Sequence, residues 1–283
     1  MNMTSSRNYY KILMGLLLTI GLLLLVCVIL LISLLIAQGG KDAKDPITPP
    51  GETTQLGESD QDPSGTDAPV VNPNVGQSPL PETPDAGLAY QDKLIFVGDS
   101  LTAHLVHREV LTGGKMTKQV WRTENNMLNL NSEVTAAKIV YPETGESMTI
   151  AEAAGKAKPE IMIVTLGTDW GVSYLTETDF KACYTALIRD IQTASPDTTV
   201  ILQSIFPVTA SAKLKNEKID LCNGWVREIA AACGCPYLDT QSVLKGADNA
   251  LKPEYCNSSD GIHLHKEAYL IILQYIRTHA YTE

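Results

Sequence analysis

Leu94-Ile95-Phe96-Val97-Gly98-Asp99-Ser100-Leu101-Thr102-Ala103-His104-Leu105-Val106 is the stretch on which the fold turns. Four apolar residues run into a glycine and a short polar turn, and apolar residues then return at helical spacing as far as Leu111. This reads as a buried parallel strand feeding a helix. Ser100 would stand at the helix N-terminus, where backbone N–H groups lack intrahelical acceptors and the helix dipole is positive. Negative charge developing on a substrate carbonyl beside Ser100 would be stabilised there.

A serine hydroxyl needs a base to become a nucleophile. Near the other end of the chain stands Asp260-Gly261-Ile262-His263. Three residues apart across a glycine, the carboxylate can hold one imidazole nitrogen and leave the other free to take the Ser100 proton. Ser100, Asp260 and His263 are therefore the candidate catalytic residues. Ser100 as a simple helix cap is the alternative reading, and the downstream Asp-x-x-His weighs against it.

Gly98-Asp99-Ser100 after a first strand and Asp260-x-x-His263 before a C-terminal helix resemble the SGNH or GDSL hydrolases, over roughly residues 91 to 283. The resemblance implies a flavodoxin-like three-layer α/β/α fold with a parallel sheet, ester hydrolysis through an acyl-enzyme, and no cofactor. Two blocks depart from the family pattern. Its Gly-x-Asn-Asp aligns with Gly167-Thr168-Asp169-Trp170, so Asp169 stands where the family's asparagine donates to the oxyanion. An ionised aspartate only accepts. Either Asp169 is protonated, or another group donates, with Thr168, Asn125 and Asn126 as candidates. The family glycine expected after the second strand is also missing near Gln119 to Leu128. Asn126 is the expected stand-in, because asparagine tolerates the left-handed conformation, and its amide would be the donor. The expected oxyanion hole thus comprises Ser100, Asn126, Thr168 and Asp169, with Trp170 lining the substrate pocket or simply packing.

Outward from the motifs, strands at Leu94 to Val97, Ile161 to Leu166, Thr199 to Ile205 and Pro236 to Leu238 alternate with helices at Thr178 to Ala194, Ala212 to Cys233 and Leu264 to Ala280. Leu214, Lys218, Leu221, Trp225, Ile229 and Ala232 form one stripe on the second of these. Such alternation gives α/β architecture, with ligands at the C-terminal strand ends. Residues 137 to 150 read as a hairpin with its turn at Glu143 to Gly145, placed to wall a cleft. His104 is expected to pack, His107 to lie at the surface and His265 to start the last helix.

The chain of 283 residues opens with an apolar, uncharged run from Ile12 to Ala37, long enough to span a bilayer. Arg7 and Lys11 precede it, which places residues 1–11 in the cytoplasm and everything beyond 38 outside. No Ala-x-Ala-like site follows, so an uncleaved anchor is expected. Residues 38–89 hold nine of the 15 prolines and nine acidic residues against two lysines, most of the net charge of −10. This is an expected disordered tether, roughly 40 Å in r.m.s. span as a coil. The hydrolase-like domain is expected over 90–283. It is mildly acidic, and no basic stripe suggests nucleic acid.

Of six cysteines, Cys27 falls in the apolar run; Cys183, Cys222, Cys233, Cys235 and Cys256 do not. An extracellular setting permits a disulfide. Cys233-Gly-Cys235 is too little for a metal site, so no metal is assigned. An anchored, extracytoplasmic domain of this resemblance implies an esterase acting on O-acetyl groups of an acylated cell-envelope polysaccharide, or on a small ester. Acyl transfer through the same triad, and a non-catalytic module binding glycan or protein, stay open.

Overall fold

The computed structural model describes residues 78–256 and 259–282. The expected cytoplasmic tail, membrane span and most of the tether lie outside these residues. Among the described residues no helix is long and apolar enough to cross a membrane.

The strands are β1 (Leu94–Gly98), β2 (Val120–Trp121), β3 (Lys138–Val140), β4 (Ser147–Thr149), β5 (Ile161–Thr165), β6 (Thr199–Gln203) and β7 (Tyr237–Leu238). The helices are α1 (Gly87–Gln91), α2 (Ser100–His107), α3 (Ile150–Ala157), α4 (Gly171–Tyr174), α5 (Glu177–Ala194), α6 (Asn216–Cys233), α7 (Gln241–Leu244) and α8 (Lys266–Thr278). Five strands form a parallel sheet in the order β2-β1-β5-β6-β7. Setting the hairpin aside, this is the flavodoxin-like order, whose switch point lies between β1 and β5. Ser100 follows β1 and Asp169 follows β5, so the candidate site sits at that switch point. The hairpin β3–β4 is antiparallel, as the sequence predicts.

Alternation within the strands explains the three layers. In β5, Met162 and Val164 enter one core with α3, α5 and α6, while Ile161 and Ile163 enter the other with α2 and α8. Both faces of the sheet are apolar, hence the continuous hydrophobic runs. Local signals fix the helix starts. Thr149 and Glu152 form a reciprocal capping box on α3, and Thr176 caps α5 by accepting from Asp179 N–H.

The structure corrects the sequence reading at three edges. Helix α6 begins at Asn216, so Leu214 lies outside it and does not set its phase. Ile219, Cys222, Val226 and Ile229 face the core beside Trp225, whereas Leu221 is 54% exposed and Lys218 and Ala232 point outward. Helix α2 ends at His107 instead of Leu111, because Glu109 takes a left-handed φ of 54° and redirects the chain. The third edge is the tether, whose last dozen residues dock on the domain. Leu80, only 2% exposed, donates its N–H to Tyr237 O at 2.8 Å, Thr83 and Ala86 pair with the end of α8, and Asp85 bridges Arg277 at 2.9 Å. Proline content signalled disorder here, but a single buried leucine is worth about 2 kcal/mol and the edge of β7 supplies backbone partners.

Candidate active site

Gly98 ends β1 where a side chain cannot fit. A Cβ there would lie 2.1 Å from Thr165 O and 2.2 Å from Thr102 Oγ1. The glycine lets β1 and β5 converge just ahead of the turn, and Asp99 then fastens the two loops. Its carboxylate, 1% exposed, accepts from Leu101 N–H at 3.2 Å as the cap of α2 and from Thr168 N–H at 2.9 Å. Burial, and next the neighbouring Asp169 charge, push Asp99 up to about 7 against these donors. Asp99 thus bonds backbone on both sides of the switch point.

The second motif folds itself. Gly261 adopts φ 73°, with Thr209 Oγ1 2.2 Å from where a Cβ would sit. Asp260 Oδ1 accepts from Ile262 N–H at 2.7 Å and from His263 N–H at 3.3 Å, and Oδ2 lies 2.7 Å from His263 Nδ1. The carboxylate thereby shapes the loop and selects the tautomer with its proton on Nδ1. His263 Nε2 is 3.3 Å from Ser100 Oγ. Tyr269 Oη donates to Leu101 O at 2.8 Å, tying α8, which follows the histidine, to the helix that carries the serine. The structure thus brings Ser100, His263 and Asp260 together in the order a nucleophile, base and orienting acid require.

The oxyanion side differs from expectation. Asp169 Oδ2 accepts from Ser100 N–H at 3.1 Å and Oδ1 accepts from Ser100 Oγ–H at 3.1 Å. A carboxylate occupies the place where a developing oxyanion would be received. Asn126 does adopt the left-handed conformation, φ 61°, but its amide donates to Thr123 O at 3.0 Å and closes a turn. Thr168 is buried and serves Asp99 through both its amide and its hydroxyl. Among the described residues no hydrogen bond joins Asn126 or Thr168 to Ser100. The Ser100 amide is the donor in place, and it already holds Asp169.

Three histidine rings form a row that sequence spacing did not reveal. His104, one turn beyond Ser100 on α2, lies 4.6 Å from His263 and 5.1 Å from His107 between ring centroids. Burial, then the charges of His263, His107 and Arg108, against the opposing pull of Asp260, depress His104 to about 4. The unfolded chain binds that proton near pH 6.5, so the stability His104 contributes is present above pH 6.5 and lost as pH falls toward 4. His104→Phe, which keeps a neutral ring, is expected to flatten the fall of Tm across this interval. An unchanged slope in thermal melts from pH 7 to 4 would contradict the assignment.

Trp170, 39% exposed, caps the start of α4 directly after Asp169, and its ring lies 4.6 Å from that of Tyr174, 68% exposed, at the helix end. Trp170 is therefore at the surface and not a packed strand-end residue. Tyr174 was missed, although its i+4 spacing from Trp170 was legible. The hairpin contributes Val140 and Pro142 to a cavity of about 250 Å³ at the end of β2. Among the described residues, no disulfide joins Cys183, Cys222, Cys233, Cys235 or Cys256.

A family model described as GDSL-like lipase/acylhydrolase matches residues 96–271. The chain belongs to this GDSL family. The match runs from within β1 into α8 and so encloses both motifs. Among solved structures, a GDSL-like lipase from Bacteroides thetaiotaomicron is 17% identical, with 66% of this chain and 87% of that one covered and a TM-score of 0.46. A family two carbohydrate esterase from Clostridium thermocellum is 14% identical, covering 71% and 63%, at 0.44. An acetyl-xylooligosaccharide esterase from Geobacillus is 16% identical, covering 67% and 94%, at 0.41. A search of curated proteins gave no significant match.

Proposed function

We propose that this chain is a serine esterase that removes O-acyl groups, principally O-acetyl, from a carbohydrate outside the cytoplasm. The observation that carries the reading is the continuous relay from Ser100 Oγ through His263 Nε2 and Nδ1 to Asp260 Oδ2, at 3.3 and 2.7 Å. Ser100 Oγ attacks the ester carbonyl while its proton passes to His263 Nε2. The tetrahedral centre collapses, His263 returns the proton to the departing sugar oxygen, and the acyl group remains on Ser100. Water then attacks, gives its proton to His263, and releases the carboxylic acid as Oγ regains the proton. No step calls for a cofactor.

The uncharged run 12–37 supports attachment to a membrane with the catalytic domain on its outer side, where the substrate is a large, fixed envelope polysaccharide. A domain held at a surface gains local concentration against such a substrate and little against a soluble ester.

The test is covalent. A fluorophosphonate probe is expected to label the full-length chain in detergent at Ser100, read by peptide mass spectrometry, with acetate released from an O-acetylated polysaccharide by the same preparation. A binding module without catalysis is the second reading, favoured by the Asp169 carboxylate that holds Ser100 N–H. Glycan binding with no label on Ser100 would select it.

A further inference from the structure

Arg122 follows β2, and the register Phe96 with Val120 and Val97 with Trp121 places it level with Gly98, two residues before the nucleophile. Its carbonyl accepts from Val140 N–H, so the hairpin leans against this end of the sheet. Between them lies the cavity of about 250 Å³, with Arg122, Asn126 and Thr117 offering polar atoms and Val120, Val140 and Pro142 an apolar wall.

The arginine is held but not neutralised. Its Nη1 donates to Asn126 Oδ1 at 3.1 Å, and among the described residues it forms no ion pair with a carboxylate. The left-handed turn at Asn126, expected to serve the oxyanion, instead turns its side chain onto this guanidinium. Arg122 is half-buried, whereas Glu124 on the same cavity is exposed, where water screens its charge. The positive charge therefore dominates inside. His107 is held below the ordinary imidazole range by burial first and then by the charges of Arg122 and Arg108, and its ring is 5.1 Å from His104, itself 4.6 Å from His263.

A part-buried guanidinium with one edge engaged presents its remaining N–H groups as a planar fork, which matches a carboxylate. The adjacent apolar wall suits the ring that carries such a group better than a bare ion. We infer that the Arg122 cavity is a subsite for the carboxylate of an acidic sugar, so that the substrate is an O-acylated polysaccharide of the uronate type. The inference rests on the esterase reading for its placement beside the scissile ester, while the binding of the acidic sugar stands separately.

Two measurements on the full-length chain in detergent separate the two claims. In calorimetry with the Ser100→Ala variant, trigalacturonate is expected to bind at least tenfold more tightly than xylotriose, and Arg122→Met is expected to erase that preference while Arg122→Lys keeps part of it. In turnover, Arg122→Met is expected to raise KM on O-acetylated galacturonan at least tenfold more than on p-nitrophenyl acetate. Equal binding of the two trisaccharides, or a preference unmoved by Arg122→Met, overturns the subsite. Preferential, Arg122-dependent binding of trigalacturonate in a chain that cleaves no ester upholds the subsite and overturns the esterase.

Discussion

His263→Ala is expected to lower kcat on a small acetyl ester by about 10⁴-fold to 10⁶-fold with KM little changed. In the proposed mechanism the ring supplies three things that no neighbour replaces. It accepts the Ser100 proton across 3.3 Å, returns it to the leaving oxygen, and carries a positive charge in between that Asp260 balances from 2.7 Å. His104 is 4.6 Å away, but it sits on α2 with the serine and is held neutral, depressed to about 4, so it makes a poor proton acceptor. The alanine variant is also expected to lose fluorophosphonate labelling, since the probe reports the same activated oxygen. Steady-state kinetics with p-nitrophenyl acetate give the magnitude. A loss below tenfold would mean that Ser100 takes its base from elsewhere, with Asp169 the group in contact.

Asp169→Asn is expected to act in the opposite direction and raise kcat by about 10²-fold, the lower end of the scale on which one oxyanion donor contributes. In the native chain the carboxylate accepts from both Ser100 N–H and Ser100 Oγ–H at 3.1 Å, competing with His263 for the hydroxyl and placing negative charge where more is about to form. An amide in the same position keeps one acceptor for Ser100 and turns a donor toward the oxyanion. The substitution also removes the second-largest cause of the raised Asp99 pKa. Asp99 is raised from 3.8 to about 7, so the stability tied to its neutral form is complete below pH 3.8 and lost as pH rises through 7. Asp169→Asn is therefore expected to lessen the decline of Tm between pH 4 and 8. A fall in kcat on substitution would assign the Asp169 carboxylate a productive role in holding or activating Ser100.

Much of the fold was legible because its signals are local. Strand Ile161–Thr165 is apolar on both faces and bounded by the polar turn Lys158-Pro159-Glu160 and a glycine turn, which leaves little besides a buried parallel strand. The hairpin turn at Glu143 to Gly145 was legible through its glycine, at φ 74°. Helix phase was less so: in Asn216–Cys233 the sequence offers two overlapping apolar stripes, and contact with the sheet and α5 chose the one through Ile219, Cys222 and Val226. Proline density misplaced the start of the domain, since composition carries no record of the edge of β7 that Leu80 meets.

Sequence by itself picked out Ser100, His263 and Asp260 as the candidate nucleophile, base and orienting acid. Each lies in a short motif whose glycine and carboxylate fold the motif locally: Gly98 and Asp99 about Ser100, Gly261 and Asp260 about His263. Tertiary structure alone decided what faces the serine on its oxyanion side and what lies beyond the triad. Asp169 reaches Ser100 across 69 positions and His104 meets His263 across more than 150, while Arg122 comes level with Gly98 only through strand pairing. Those relations depend on how far β1, β2 and β5 extend before their loops diverge, a property of the assembled sheet that no single segment encodes.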